Sequence, residues 1–141
     1  MQVVLKDGAH HILRLDKDEE LFAQLSQYMQ ASQIQACSFS AIGTASQIEI
    51  GFYNAHIKNY RQKPFIEDLE IISLNGNGAM LEPDNKPIIH AHGLFGRTDF
   101  TSICGHIFSV KVLATCEVSL VQLSGQLKRK LDPNTNLKLL I

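Results

Sequence analysis

The chain has 141 residues, 45% hydrophobic and 19% charged, a balance that excludes a disordered chain and suits one domain with its own core. Its 13 Lys and Arg nearly cancel its 14 Asp and Glu, and a formal net charge of −1 excludes a strongly basic nucleic-acid module.

Val3-Val4-Leu5 is a short apolar run that ends at the turn dipeptide Asp7-Gly8, and His11 to Leu15 reads as the returning strand of a hairpin. Asp16 stands as a helix N-cap, with Glu19 three residues on in capping-box position. Asp18, Glu19 and Glu20 suit the positive end of a helix dipole. Leu21, Phe22, Leu25, Tyr28 and Met29 recur at helical spacing, which predicts an amphipathic helix over about residues 18–32. Further on, Ile48, Ile50 and Phe52 alternate with Glu49 and Gly51, which predicts a half-buried strand. A turn at Asn54-Ala55-His56 leads to a return at Tyr60 to Lys63. Leu69 to Leu74 reads as a strand closed by Asn75-Gly76-Asn77-Gly78. Pro83-Asp84-Asn85-Lys86-Pro87 marks another turn, Ile88 to Leu94 another strand, and Gly96 to Ser102 a polar connection. Ile107 to Leu123 is the longest β-type segment, apolar enough to lie centrally in a sheet. Many strands and one helix predict an α+β fold, a mostly antiparallel sheet with one main amphipathic helix packed on it. No linker, repeat or low-complexity tract divides the chain, so residues 1–141 are expected to form a single domain.

No apolar run of roughly 18 residues is present, so no membrane span is expected. The start lacks the basic segment and apolar run of a signal peptide. Cys37, Cys104 and Cys116 are odd in number and lack CxxC spacing, which suits reduced thiols in a cytoplasm. Glycine-rich nucleotide loops, a GxSxG elbow and an HExxH pair are all absent.

Six histidines stand against three Tyr and no Trp. His90-Ala91-His92 lies in a predicted strand, where alternate side chains share a face, so two imidazoles can reach one ion. Gly105-His106 opens the long strand fourteen residues after His92. If the connection between them turns back, His106 returns beside the pair. Three neutral imidazoles with an open fourth position suit zinc in hydrolytic or Lewis-acid work. The alternative is three hydrogen-bonded histidines in a core or an interface. His10, His11 and His56 are expected at the surface.

Other residues offer weaker chemistry. Glu117, inside the apolar strand, is either an acid–base group or partner to an imidazole, or a charge paired at a subunit contact. Cys104 is close enough to His106 to be a thiolate ligand, or is a small buried thiol. Arg97 is an anion anchor or a loop charge. Lys128-Arg129-Lys130 is a small basic cluster that would touch DNA phosphate or form a solvated face.

Read in order, several landmarks resemble the PPC (plants and prokaryotes conserved) domain family in its stand-alone prokaryotic form. They are Ile42-Gly43, Gly51-Phe52-Tyr53, Lys58-Asn59-Tyr60, the stretch from Leu69 to Asn77, His90-Ala91-His92, Gly105-His106 and Ala114 to Val118. The resemblance implies a compact α+β domain assembled as a homotrimer. Plant members carry it after an AT-hook that reads A·T-rich DNA. This chain has no such hook, since Gly96-Arg97 is followed by Thr98 and not proline. The domain is also similar in fold to acetolactate decarboxylase, whose zinc is held by an HxH and a later histidine. That similarity implies His90, His92 and His106 as ligands of zinc or another divalent transition metal. The enzyme's other catalytic residues have no matching positions. Cys104 stands where many prokaryotic members have a second glycine, and would crowd the site or supply a fourth ligand.

Three functions are therefore in view. One is a cytoplasmic homotrimeric metal-binding module with a binding or regulatory role, associated with DNA through partners. Another is a zinc-dependent lyase or hydrolase acting on a small acidic molecule, with Arg97 and Glu117 as helpers. The third is direct DNA binding through Lys128, Arg129 and Lys130.

Overall fold

Eight strands and one helix follow one another along residues 1–141, all of which the computed structural model describes. They are β1 (Gln2–Asp7), β2 (His10–Asp16), α1 (Leu21–Ala31), β3 (Cys37–Asn54), β4 (Asn59–Leu81), β5 (Lys86–Arg97), β6 (Ser102–Gln122), β7 (Lys128–Asp132) and β8 (Leu137–Leu140). β1 and β2 make the predicted hairpin, with Gly8 at φ 57° in the turn, a backbone state that glycine adopts without strain. Every strand pair is antiparallel except β4 with β7, so the fold is α+β with a mostly antiparallel sheet. The helix is too short to cross a membrane.

The sheet runs β1-β2-β6-β3-β4-β7-β8, with β5 paired to both β4 and β6. β3, β4, β5 and β6 therefore close on one another as a ring, each hydrogen-bonded to the next. β6 touches β2, β3 and β5 and holds the central position that its apolar sequence predicts. The core joins one face of these strands to α1 through Leu13, Leu15, Leu25, Met29, Phe95 and Ile107. Each such fully buried side chain contributes about 1.5–3 kcal/mol relative to exposure.

The helix starts later than its periodicity suggests. Asp18 sits at φ 70°, and its N–H donates to the Val112 carbonyl at 3.0 Å. The Val112 N–H returns to the Glu19 carbonyl at 3.0 Å, so this segment is bound to β6 and cannot be helical. Glu20, not Asp16, is the N-cap, and its carboxylate accepts from the Ala23 N–H at 2.6 Å. Glu19 still accepts from the Asp16 N–H at 2.8 Å, one half of a capping box outside the helix. Leu21, Leu25, Tyr28 and Met29 form the buried stripe.

Two strand expectations also change. Asn75-Gly76-Asn77-Gly78 is no turn but the interior of β4, which at 23 residues exceeds the 21 of β6. The glycines are there for close packing. A Cβ on Gly76 would strike the His90 carbonyl oxygen and lie 2.8 Å from the Ala91 Cβ, and one on Gly78 would strike Met29. Phe52 is 78% exposed although Ile48 and Ile50 are buried. The register of β3 against β6 shifts between Glu49 and Ile50, so alternation does not carry through to Phe52.

Candidate metal centre

In β5 the core takes Ala91, Gly93 and Phe95, so the alternating His90 and His92 project from the other face. β6 returns antiparallel, and the register sets His106 directly opposite His92. β4 flanks β5 on its other side, with Asn77 opposite His90 and Asn75 opposite His92. The three imidazoles therefore converge, each with a ring nitrogen within 4.8 Å of the others'. Their ring centroids lie 5.0–5.4 Å apart. His90 and His106 are half-buried and His92 is exposed, so the cluster opens on one side.

Aromatic rings shape the covered side. Tyr60 lies against His106 at 4.6 Å between centroids, and Phe108 at 4.8 Å. Burial pushes the His90 imidazole down to about 4, helped by the positive charge of Arg129 and by His92. His106 is pushed down to about 4 by burial, then by His90, His92 and Arg129. Both rings are thus neutral near pH 7, the form that binds metal. The His106 Nδ1 is buried with no hydrogen-bond partner. An orphaned buried polar atom costs about 1–3 kcal/mol, which a coordinated ion would relieve. These residues fit a divalent transition metal, since imidazole suits zinc, copper, iron and nickel.

The remaining sequence candidates are placed elsewhere. Cys104 is exposed and does not join the histidine group. Glu117 is exposed on β6, roughly 35 Å along the strand from His106 at the usual rise per residue. It lies opposite Arg14 of β2, far from the three histidines of its own chain. Arg97 lies about 16 Å beyond His92 along β5. It pairs with both carboxylate oxygens of Glu67 at 3.1 and 3.2 Å. It lines a cavity of about 640 Å³ together with Asp68 and Glu70, so its charge is already answered.

The basic cluster is divided by its own strand. Lys128 pairs with Glu82 at 2.7 Å, and Lys130 is exposed. Arg129 faces the other way, is 6% exposed, and reaches His90 Nδ1 at 3.1 Å. Its other partners are Asn77 Oδ1 at 3.0 Å and the Lys138 carbonyl of β8 at 2.7 Å. Arg129 is thus buried beside the histidines, apart from Lys128 and Lys130. Period-two alternation across Lys128-Arg129-Lys130 is the signal that separates it from the lysines. His11, expected at the surface, is fully buried, its Nδ1 3.0 Å from the Tyr28 hydroxyl. The alternation of β2 turns it under α1, while His10 and His56 are exposed.

The model of the Plants and Prokaryotes Conserved (PCC) domain matches residues 3–124. The chain belongs to this family. Several solved structures agree with it over nearly its full length. A metal-containing protein from Archaeoglobus fulgidus is 36% identical, with a TM-score of 0.87 over 100% of this chain and 99% of that one. A protein from Bacteroides thetaiotaomicron, provisionally called DNA-binding, is 25% identical, with a TM-score of 0.90 over 97% and 94%. Acetolactate decarboxylase from Bacillus subtilis subspecies spizizenii shares the fold more distantly. It is 12% identical, with a TM-score of 0.55 over 84% of this chain and 55% of its own. The PPC chain thus spans about half of that enzyme. No curated protein matches it.

Proposed function

We propose that this protein is a cytoplasmic metal-binding PPC protein, a single domain over residues 1–141 that assembles as a homotrimer. Each subunit holds one zinc-class ion through His90, His92 and His106. The observation that carries this reading is the convergence of three imidazoles within 4.8 Å, two of them kept neutral by burial. The metal-containing relative from Archaeoglobus fulgidus supports it. The protein's role is binding or regulatory, and association with DNA runs through partners. The division of Lys128, Arg129 and Lys130 between an ion pair, a buried site and solvent supports partners over direct contact through β7.

A second reading, a zinc-dependent lyase or hydrolase acting on a small acidic molecule, has one specific observation in its favour. No Cys, Asp or Glu side chain joins the three histidines, and His92 faces solvent. A bound zinc ion supplies Lewis-acid polarisation or an activated water at such an open position.

Metal analysis of protein purified without a histidine tag tests the site. About one ion per chain is expected, as three-histidine sites bind zinc stoichiometrically. His90→Ala and His106→Ala should each abolish it while leaving the circular dichroism of the sheet unchanged. Trace metal that added zinc does not restore would remove the proposal.

A further inference from the structure

Arg129 is a buried cation with no anion. Its recorded partners, the Lys138 carbonyl, Asn77 Oδ1 and His90 Nδ1, are all uncharged, and its Nε is buried with no partner. No carboxylate pairs with it, whereas Lys128, its neighbour in sequence, has Glu82. Burial pushes the neighbouring Tyr60 phenol up, so it stays neutral and supplies no counter-charge. A buried charge normally keeps a partner, because desolvation without one costs several kcal/mol, so the absence here is unusual.

A metal ion makes the imbalance larger. Three neutral imidazoles leave both charges of a dication in place, and Arg129 adds a third beside them. Hydrogen-bond capacity points the same way. A neutral imidazole has one lone pair and one N–H, while arginine only donates. The Arg129 bond therefore uses the Nδ1 lone pair of His90 and places the ring proton on Nε2. Binding a cation through either nitrogen ends that bond. The guanidinium then has a freed Nη2 donor beside its unpartnered Nε.

We infer that the histidine site takes a small oxyanion, carboxylate or phosphate, together with its metal ion, and that Arg129 is the residue that recognises it. The anion would take a coordination position that the three histidines leave open, and the freed guanidinium answers its charge. Arg129 supplies the planar fork of donors that matches such oxygens. The inference rests on the metal reading above. It assigns to Arg129 the anchoring role that the chain order suggests for Arg97.

The test is linkage between metal and anion. Metal-free protein is titrated with Co²⁺, followed by its visible absorption, in chloride, acetate or inorganic phosphate at equal ionic strength. Free cobalt is corrected for complexes with each buffer anion. Affinity for Co²⁺ should rise about ten-fold in acetate or in phosphate, a usual size for coupled sites, and the more effective anion identifies the class. In Arg129→Gln the metal should still bind, with the anion effect gone. Equal cobalt affinity in all three salts for the unsubstituted protein would overturn the inference, as would an undiminished effect in the variant. The comparison of salts stands without the variant should Arg129→Gln fail to fold. Absence of cobalt binding under every condition is a different result, and removes the metal site itself.

Discussion

His90 and His106 show how burial keeps an imidazole neutral. Both imidazoles are pushed down to about 4 by desolvation, with Arg129 and neighbouring histidines adding to the effect. An unfolded histidine titrates near 6.5. Between about pH 6.5 and 4 the unfolded chain therefore binds protons that the metal-free folded chain refuses. Stability rises with pH wherever the unfolded state binds more protons, so this contribution is whole above about 6.5 and is lost as pH falls toward 4. Urea denaturation in the presence of a chelator should show a midpoint that is flat near neutrality and drops across that window. Replacing both histidines with asparagine should flatten the drop. A profile with no slope there would mean that the rings are not desolvated.

The site depends on strand pairing more than on any one side chain. β5 is held between β4 and β6, and it is this double pairing that sets His92 opposite His106 and Asn77 opposite His90. Gly76 lets β4 approach β5, since a Cβ there would run into the His90 carbonyl. Gly76→Ala should push the two strands apart and cost about 1–3 kcal/mol, the usual range for overpacking. It should also weaken the proposed metal binding, because the displaced carbonyl belongs to His90. Denaturant melts and a zinc titration of the same variant check both. Normal stability with normal zinc affinity would show that the pairing has slack. β7 and β8 serve the site as well. β7 pairs with β4 at Met80 and Leu81, and β8 pairs with β7, which brings the Lys138 carbonyl onto Arg129. The apolar C-terminal run from Leu137 to Ile141 is held by pairing with β7 and by the Ile141 N–H to the Lys128 carbonyl.

At the scale of the whole molecule, much apolar surface stays open. Val3, Val4 and Leu5 on β1, Ile42 on β3, and Ile72 on β4 are all at least half exposed. Surface of this kind on several strands suits contacts between subunits. Light scattering should give a mass near three times the 15.7 kDa of one chain. A monomer at micromolar concentration would exclude the trimer. Net charge belongs to this scale too. With −1 overall and Arg129 withdrawn from the surface, the protein alone should not retard an A·T-rich duplex even at low salt. Retardation that falls steeply with added salt would reverse that expectation.

Local pattern alone determined the α+β class, the first hairpin, the helix stripe of Leu21, Leu25, Tyr28 and Met29, and the shared face of His90 and His92. Each of these follows from a backbone period of two or 3.6 residues acting on neighbours in the chain. The order of motifs also pointed to the family. Tertiary structure decided the rest, because it depends on which distant strands pair and in what register. Asn75 to Gly78 carries turn residues, yet β5 packs against it and keeps it extended. Asp18 and Glu19 look helical, but Val112 claims their backbone. Arg129 reads as one of three surface cations, and the pairing of β7 with β4 turns it onto His90. That last placement makes three histidines a site with a charge beside it, and only long-range contact could produce it.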